Sequence, residues 1–350
     1  MNQAIDPAVL VKEIEAEAFR LGFCLFGVTI TDPPGNYPIY EQWLADGLNA
    51  GMQYLETEYH RTCREQPRQL LPGAKSMLIL GWPYPLTQPS SVDKSGWIAG
   101  YATEPDYHQR LLTLMRSLVE FIEHASNEPV ESKCFNDSAP ILEREMGQRA
   151  GLGWIARNSC LISPTVGSNF LLSEILLSLE LPPSAPFTAD RCGTCRRCID
   201  ACPTHCIRGE RTLDSGKCIS YLTIENKDQI PLEYRESVGQ WVFGCDICQS
   251  VCPWNGRSGL VEQDNAVSAS LDPEEMTRDL ALTPEEFKVK FKGSSIMRAK
   301  PFGFLRNLVT VLANVKESSA LDALTELLKS ETNEALHETI RWAIEKIKTE

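Results

Sequence analysis

Residues 192–252 hold nine of the thirteen cysteines of this 350-residue chain, and their spacing restricts what the segment can form. The first run reads Cys-x2-Cys-x2-Cys-x3-Cys-Pro and ends at Pro203; the second reads Cys-x2-Cys-x3-Cys-Pro and ends at Pro253. This pattern is typical of modules with two [4Fe–4S] clusters, in which the fourth cysteine of a run binds the other cluster. The spacing therefore predicts single-electron transfer.

The predicted ligands divide into two sets of four. The first cluster is expected to take Cys192, Cys195, Cys198 and Cys252, and the second Cys202, Cys218, Cys245 and Cys248. The second run has no leading cysteine, so Cys206 competes with Cys218 for that position. We favour Cys218, because a ligand that is well separated along the chain closes the cage more easily.

Zinc and disulfides are the alternatives to iron and sulfide. Cys-x2-Cys pairs also make zinc sites, although the x2, x2, x3-Cys-Pro spacing is unusual for zinc. The first residues, 1–6, show neither the basic nor the apolar part of an export signal, so we expect a cytoplasmic protein with reduced thiols. The remaining cysteines are expected to be ordinary buried thiols: Cys24, Cys63, Cys134 and Cys160.

Composition excludes some classes of function. The net charge of −13 argues against a broadly basic nucleic-acid binder, and no apolar stretch is long enough to span a membrane. One local exception runs from Lys288 to Arg306, with six basic residues and no acidic one. That stretch is either a solvated face or a phosphate-binding patch.

Periodicity predicts an α+β chain of several domains. We expect an α/β domain over 1–187, a ferredoxin-like module over 188–256, and a connector with a helical unit over 257–350. Helices are predicted at 10–20, 107–124, 140–151, 302–315, 320–329 and 334–348, and strands at 23–28 and 76–81. The paired C-terminal helices resemble a short α-solenoid.

A second motif region follows the long helix predicted at 107–124. Asp137-Ser-Ala-Pro-Ile-Leu-Glu-Arg leads into Arg149-Ala-Gly-Leu-Gly-Trp-Ile. An aspartate just ahead of a helix is most often an N-cap. The two glycines of this region suggest a C-cap and turn, and they do not match a dinucleotide fingerprint. With five histidines in the chain, histidine-based catalysis has little support.

Taken together, these motifs resemble the epoxyqueuosine reductase family. The resemblance rests on the two segments just quoted, on the first cysteine run, on Cys218-Ile-Ser-Tyr-Leu-Thr-Ile-Glu, and on Phe243-Gly-Cys-Asp-Ile-Cys-Gln-Ser-Val-Cys-Pro-Trp-Asn. Leu71-Pro-Gly-Ala-Lys-Ser, Asp106-Tyr-His and Arg306-Asn extend it over most of the chain.

The resemblance implies a reaction and its cofactors. Members of this family reduce the epoxide of epoxyqueuosine at the tRNA wobble position, using base-off cobalamin and two [4Fe–4S] clusters. The implied fold is a flavin-reductase-like domain that binds the corrin, with HEAT-like helices at the C-terminus. The implied partners are tRNA and an external flavodoxin- or ferredoxin-type electron donor. We expect a monomer with no membrane association.

The resemblance also implies roles for individual residues. Asp137 matches the proton donor of the family, and we expect burial against the corrin to keep its carboxyl group protonated. The implied corrin neighbours are Arg64, Tyr101, Asn158, Ser168, Ser220, Cys245 and Asp246, with Lys227 as a contact for corrin or tRNA.

The chain departs from the family pattern at three places. Ala156 replaces a glycine, which makes a positive φ costly there. Thr103-Glu104-Pro105 replaces basic residues, and Cys206 replaces a small apolar residue. These departures leave two alternatives open: a cobalamin and iron–sulfur reductase of a small molecule, related to reductive dehalogenases, and an electron carrier without catalysis.

Overall fold

The computed structural model describes residues 6–87, 94–257 and 270–349. Its helices are α1 Pro7–Arg20, α2 Tyr37–Ala45, α3 Glu58–Glu65, α4 Tyr107–Ser126, α5 Glu143–Arg149, α6 Arg197–Asp200, α7 Ile219–Ile224, α8 Leu232–Arg235, α9 Ile247–Ser250, α10 Pro273–Asp279, α11 Pro284–Lys290, α12 Lys300–Asn314, α13 Leu321–Ser330 and α14 Glu334–Lys348. Its strands are β1 Leu25–Ile30, β2 Ser76–Pro83, β3 Gly96–Ile98, β4 Ser132–Phe135, β5 Trp154–Ile155, β6 Leu161–Ile162, β7 Phe170–Leu177, β8 Trp241–Phe243 and β9 Ser270–Leu271.

The main sheet has four antiparallel strands in the order β1-β2-β7-β4. Side chains alternate between its two faces. Helices α1 and α4 cover one face, where Ile14 and Leu111 pack on Leu78 and Leu80. Helix α5 covers the other face, where Met146 packs on Ile79. The fold is therefore a mixed α/β layer structure.

Helix α4 begins where the sequence predicts because Asp106 caps it. The Asp106 side chain accepts the His108 backbone N–H at 3.0 Å, and the helix ends at Asn127, whose φ is 56°. Leu111, Met115, Leu118 and Ile122 repeat at helical spacing and are completely buried. Burying each such side chain contributes about 1.5–3 kcal/mol, so the helix is firmly fixed against the sheet.

A second sheet joins distant parts of the chain. Strand β3 pairs in parallel with β8 and antiparallel with β9. Each of the three predicted domains contributes one strand to this second sheet: β3 comes from 1–187, β8 from 188–256 and β9 from 257–350. The domain boundaries at 187/188 and 256/257 stay a prediction, and part of the predicted connector, residues 258–269, lies outside the described residues, as do residues 1–5.

The C-terminal part of the described chain is helical, as predicted. Helix α12 is its centre, with Leu308, Val309, Val311 and Leu312 buried among the surrounding helices. Helices α13 and α14 pack against it. None of the helices within the described ranges combines the length and apolarity needed to cross a lipid bilayer.

Two expectations for the first domain need correction. Pro140 does not open α5; the helix begins at Glu143, after an irregular segment. The broken apolar stretch at 170–181 contains β7, a central strand that the sequence did not predict. Gly151 follows α5 and has a φ of +83°, as the predicted turn requires. Ala156 needs no positive φ; Ser159 has one instead, at 63°.

Candidate active site

Aromatic side chains lie beside the first set of predicted cluster ligands. The charges of Cys192 and Cys252 act on Cys198, and those of Cys192 and Cys195 act on Cys252. The Trp154 indole N–H donates to Cys192 Sγ at 3.4 Å. Trp254 and Phe187 pack against Trp154. These rings keep water from one side of the site, and the indole supplies a hydrogen bond to sulfur of the kind that tunes cluster potentials.

The second set also converges. Cys245 feels the charges of Cys218 and Cys202, and Cys248 feels those of Cys245 and Cys218. Burial raises the pKa of the Cys245 thiol well above its ordinary value. A thiol in such a place becomes a thiolate when a metal stabilises it.

Cys206 lies beside the second set. Its Sγ is 3.4 Å from Cys202 Sγ, and its thiol also bonds to Cys218. Hydrogen bonding from the Cys206 thiol lowers the pKa of Cys202 to about 5 and that of Cys218 to about 7. This geometry suits Cys206 as a donor to two thiolates. The choice of Cys218 over Cys206 as ligand stays a prediction.

Cys160 is a thiol whose position the sequence did not suggest. Its thiolate form accepts a hydrogen bond from Cys248, and this bond lowers the pKa of Cys160. The other scattered thiols agree with expectation: burial raises the pKa of Cys24 to about 12 and that of Cys134 to about 11, and Cys63 is buried.

Among the described residues, no three His, Cys, Asp or Glu side chains gather closely enough to hold a single metal ion.

Asp137 lies in the loop between β4 and α5 with a φ of 55°. Aspartate is one of the few residue types that tolerate this left-handed conformation, which often marks a functional site. The N-cap of α5 is Leu142, without a side-chain bond, so the interpretation of Asp137 as a cap is wrong. Its side chain is 55% exposed.

His108 and Tyr107 hold the Asp137 carboxylate. The Tyr107 hydroxyl donates to Asp137 Oδ2 at 3.1 Å, and His108 Nε2 is 3.6 Å from the same oxygen. On its other side, His108 Nδ1 is 2.5 Å from Asp106 Oδ1. An imidazole between two carboxylates favours the imidazolium form, so these bonds raise the pKa of His108.

The expectation that burial against a corrin keeps Asp137 protonated stays a prediction. Within the protein itself, hydrogen bonding to His108 lowers the pKa of Asp137, burial opposes this, and the charges of His108 and Arg298 lower it further. Without a corrin these directions favour the proton on His108, and we call Asp137 and His108 the acid pair. Histidine-based catalysis had little support from the sequence, although Asp106-Tyr107-His108 was visible as a motif.

Tyr101 lies close to Asp137 and to the segment of the second thiol set. It feels the charges of both Asp137 and Asp246, and its ring contacts those of Tyr107 and Phe243. Arg298, Asp137 and Arg64 all act on the pKa of Tyr54. Arg64 also lies over the Tyr40 ring at 5.3 Å. Tyrosines and arginines are therefore grouped near Asp137.

Asp246 is buried near Tyr101. Its carboxylate accepts the N–H groups of Gly100 at 2.7 Å and Thr87 at 3.2 Å. Burial nevertheless raises the pKa of Asp246 to about 6. These bonds fix the residue next to Cys245 in place beside Tyr101.

The other predicted corrin neighbours have different positions. Asn158 donates to the Cys248 carbonyl at 3.3 Å, and Ser168 donates to Gln249 at 3.0 Å, so both hold the second cysteine run. Ser220 is half-buried in α7, and Lys227 is exposed in the loop after it. Their roles toward a corrin stay predictions.

Arg306 does not belong to the exposed basic stretch. It is fully buried, and its guanidinium donates to the carbonyls of Leu222 at 2.6 Å, Asn226 at 2.9 Å and Asp228. Asn307 donates to the carbonyls of Thr223 and Val242, both at 2.8 Å. This pair fixes the segment that follows Cys218.

The exposed basic residues of that stretch are fewer than the sequence suggested. Lys290 pairs with Asp279 at 2.5 Å and Glu275 at 2.9 Å. Arg298 pairs with Glu225 at 2.5 Å. Lys288, Lys292 and Lys300 are exposed, and they form the surface that we call the lysine patch.

Two family models match the chain. The 4Fe-4S double cluster binding domain matches residues 191–255, and the model described as epoxyqueuosine reductase QueG, DUF1730 matches residues 64–138. The cysteine segment is therefore a double-cluster iron–sulfur domain, which confirms the prediction from its spacing.

Curated relatives span nearly the whole chain. An epoxyqueuosine reductase of Xanthomonas campestris pv. campestris is 35% identical over 346 residues, covering 97% of this chain and 96% of the relative. The epoxyqueuosine reductase of Escherichia coli K12 is 33% identical over 350 residues, covering 98% and 91%.

Solved structures give the same result. A crystal structure of epoxyqueuosine reductase with a tRNA-Tyr epoxyqueuosine-modified stem loop has a TM-score of 0.87 at 29% identity, covering 98% of this chain and 91% of that one. The enzyme from Streptococcus thermophilus has a TM-score of 0.85 at 28% identity, covering 97% and 90%. A Bacillus subtilis structure, with a catalytic aspartate loop swung out of the active site, has a TM-score of 0.84 at 29% identity, covering 98% and 91%.

Proposed function

The chain belongs to the epoxyqueuosine reductase family, and from this we propose that it reduces the epoxide of epoxyqueuosine in tRNA to the alkene of queuosine. The reaction takes two electrons and two protons and releases the epoxide oxygen as water. Electrons enter from an external donor of the flavodoxin or ferredoxin type and pass through the two clusters one at a time. The observation that carries the proposal is that Asp137, paired with His108, and Asp246, which follows the predicted ligand Cys245, both act on Tyr101.

The residues around Tyr101 fit base-off cobalamin. Asp137 is 55% exposed, and Asp137 and Asp246 both lie close enough to Tyr101 for their charges to act on it. Tyr101, Arg64, Asp246 and Cys245 would hold the corrin. When bound, the corrin would supply a strongly reducing cobalt centre. We also propose that the first domain has a flavin-reductase-like fold and that the C-terminal helices form a HEAT-like unit.

The chain's own side chains supply the proton. A leaving alkoxide oxygen needs an acid within hydrogen-bond reach. The imidazolium of His108, oriented by Asp106, shares its proton with Asp137, whose side chain is 55% exposed. Tyr107 fixes the same oxygen from the side. The pair therefore presents a proton at neutral pH without requiring a neutral aspartate in the resting state.

Substrate recognition is proposed at the lysine patch. Phosphate contacts release counterions, so binding should weaken steeply with salt. Charge reversal of Lys288, Lys292 and Lys300 is expected to lower tRNA affinity and flatten the salt slope. Lys12, which is exposed on α1, is the control. Unchanged affinity in the triple variant would rule out this docking surface. The cytoplasmic location and the monomeric state expected from the sequence stay predictions.

The decisive experiment is anaerobic reconstitution with iron, sulfide and cobalamin, followed by conversion of epoxyqueuosine-tRNA. Wild type should convert it, and Asp137→Asn should lose about 10²–10⁴-fold in turnover while keeping its iron content and corrinoid spectrum. Asp322→Asn, an exposed position on α13, is the control. A wild-type enzyme that leaves epoxyqueuosine-tRNA unchanged would overturn the function. The relatives do not favour the small-molecule reductase or the electron carrier.

A further inference from the structure

The loop that carries the first three predicted cluster ligands lies at the protein surface. The residues that separate these three cysteines, 193–194 and 196–197, are all exposed. In the second run, by contrast, the residues between Cys245 and Cys248 are buried or half-buried. The first cluster is therefore expected to lie nearer to solvent than the second.

The second thiol set lies toward the proposed reaction site. The Tyr101 ring contacts Phe243, two residues before the predicted ligand Cys245. On its other side, Tyr101 contacts the ring of Tyr107, which donates to Asp137. Because the two clusters are proposed to act in series, electrons bound for this site enter at the first cluster. Electron tunnelling slows steeply with distance, so a donor protein has to place its own redox centre against the surface around that cluster.

Arginines surround this surface. Arg191, Arg196 and Arg197 each directly adjoin one of the first three predicted ligands along the chain, and all three are exposed. We call these three residues the arginine rim. Consecutive Cα atoms are about 3.8 Å apart, so the rim stays beside the first cluster. Arg196 pairs with Asp200 at 3.4 Å, whereas Arg191 and Arg197 form no ion pair with a described residue.

Arg191 is held in place by aromatic rings. Its guanidinium lies over Phe187 at 5.6 Å and over Trp254 at 5.8 Å. Both rings pack against Trp154, whose indole donates to Cys192. Arginine stacked on aromatic rings keeps its fork of donors ordered, and arginine and tryptophan are frequent energetic centres of protein interfaces. Arg191 is therefore a preformed anchor beside the first cluster.

The charge around the rim is opposite to that of the whole chain. Residues 190–211 hold five arginines, three acidic residues and no lysine, in a chain whose net charge is −13. The overall charge repels an acidic partner, so a locally positive surface has to select where such a partner makes contact. Guanidinium groups bind carboxylates with two parallel hydrogen bonds. The rim thus fits a partner whose redox centre is surrounded by carboxylates.

We propose that the arginine rim is the docking site of the electron donor, a redox protein with an acidic surface around its cofactor. This inference rests on the proposed function, which requires an external donor, and it adds where the donor binds and what recognises it. In each encounter the donor loses one electron and the first cluster gains it, and two encounters supply the two electrons of one turnover. The rim steers association, so salt should slow it.

The test is reduction of the oxidised, reconstituted enzyme by a purified, reduced flavodoxin of net negative charge, followed by stopped-flow absorbance. The double variant Arg191→Glu/Arg197→Glu is expected to lower the second-order rate constant about tenfold at low salt and to flatten its salt dependence. Lys12→Glu/Lys348→Glu makes the same change of charge at exposed positions outside the rim, and its rate should stay close to that of wild type.

Reduced methyl viologen, a small cation, separates docking from damage to the cluster. It should reduce the double variant at no less than the wild-type rate. A variant with full iron content and the wild-type flavodoxin rate and salt slope would overturn the proposal. Equal slowing with flavodoxin and viologen would overturn it too, because the rim would then act on the cluster and not on the partner. Loss of tRNA affinity with an unchanged flavodoxin rate would assign the rim to tRNA and exclude donor docking.

Loss of iron from the double variant does not remove the test. Arg191→Lys/Arg197→Lys keeps the charge of the rim, and Arg191→Gln/Arg197→Gln removes it without reversing it. The lysine variant should keep most of the flavodoxin rate and the salt slope, whereas the glutamine variant should lose both in part; equal values in the two would contradict docking by charge. These rates are measured without tRNA. An enzyme that shows them but leaves epoxyqueuosine-tRNA unchanged would therefore overturn the proposed function and not the docking site.

Discussion

The sulfur ligands and the proton-carrying groups of this enzyme are assembled in opposite ways. All eight predicted thiol ligands come from one stretch, 192–252, and most of them from two short loops. The proposed acid groups come from separate elements: His108 from α4 and Asp137 from the loop after β4. The predicted cluster ligands are thus encoded locally, whereas the proposed acid groups depend on the packing between elements of the first domain.

This difference indicates which substitutions should disturb the clusters and which should disturb the acid groups. A cluster forms a covalent cage, so its ligands are fixed once the metal is bound. The acid groups are fixed only by hydrogen bonds and by the sheet beneath them. Four variants can break or sharpen this contrast.

The largest effect is expected on the sulfur side. Cys245→Ser removes a ligand of the second cluster, so turnover should be lost and iron should fall from about eight to about four atoms per chain. Cys24→Ser, whose thiol bonds only to the Gly81 carbonyl in the main sheet, should keep both. Full iron content in Cys245→Ser would break the ligand assignment.

On the proton side, His108→Gln is expected to lower turnover at least a hundredfold and to leave iron content unchanged. The pKa of His108 is raised, so wild-type activity should be present below that pKa and decline as pH rises through it. This alkaline decline should be absent from the residual activity of the variant. A pH–rate profile with the wild-type shape in His108→Gln would exclude the imidazolium as the acid.

Arg306→Leu tests whether the cysteine module is self-sufficient. The substitution leaves the carbonyls of Leu222, Asn226 and Asp228 without their donor, so we expect the free energy of unfolding to drop by about 2 kcal/mol. Thermal unfolding of the reconstituted enzyme measures this. Arg68→Leu, an exposed arginine with a side chain 56% accessible, is the control. An unchanged melting temperature would show that the module does not need the tail.

The smallest effect concerns stability at Glu174, an acidic residue of β7 whose side chain is completely buried. Its pKa is raised in the folded state, so wild type loses stability as pH rises above the unfolded value of about 4.3, toward the folded pKa. Glu174→Gln lacks this loss. Its stability relative to wild type should therefore increase by about 1 kcal/mol between pH 5 and pH 6. Thermal unfolding at both pH values, with Glu180→Gln as control, checks the sign.

The sequence predicted the elements whose signals are local. The cysteine runs, helices α1, α4, α12 and α14, and strand β2 lie close to their predicted positions, because spacing, caps and amphipathic periodicity act over a few residues. Asp137 was singled out as a motif residue. Its true role in the fold, a left-handed loop residue and not a cap, depends on the sheet behind it.

The remaining features depend on contacts between distant residues. Strand β7 was missed because Ser173 and Glu174 interrupt its apolar pattern, and Glu174 is tolerated only as a neutral acid under α5. His108 was undervalued because its partner Asp137 lies on another element. Arg306 was read as a surface charge because the carbonyls that surround it come from α7 and the loop after it, far away along the chain.

The small sheet of β8, β3 and β9 has a consequence for how the enzyme is made. A ribosome adds Ser270 and Leu271, the last strand of that sheet, only after it has added every predicted cluster ligand. Arg306, which secures the segment after Cys218, is added later still. A chain cut short between Cys252 and Ser270 would therefore carry all eight predicted thiol ligands without β9 and without the buried arginine.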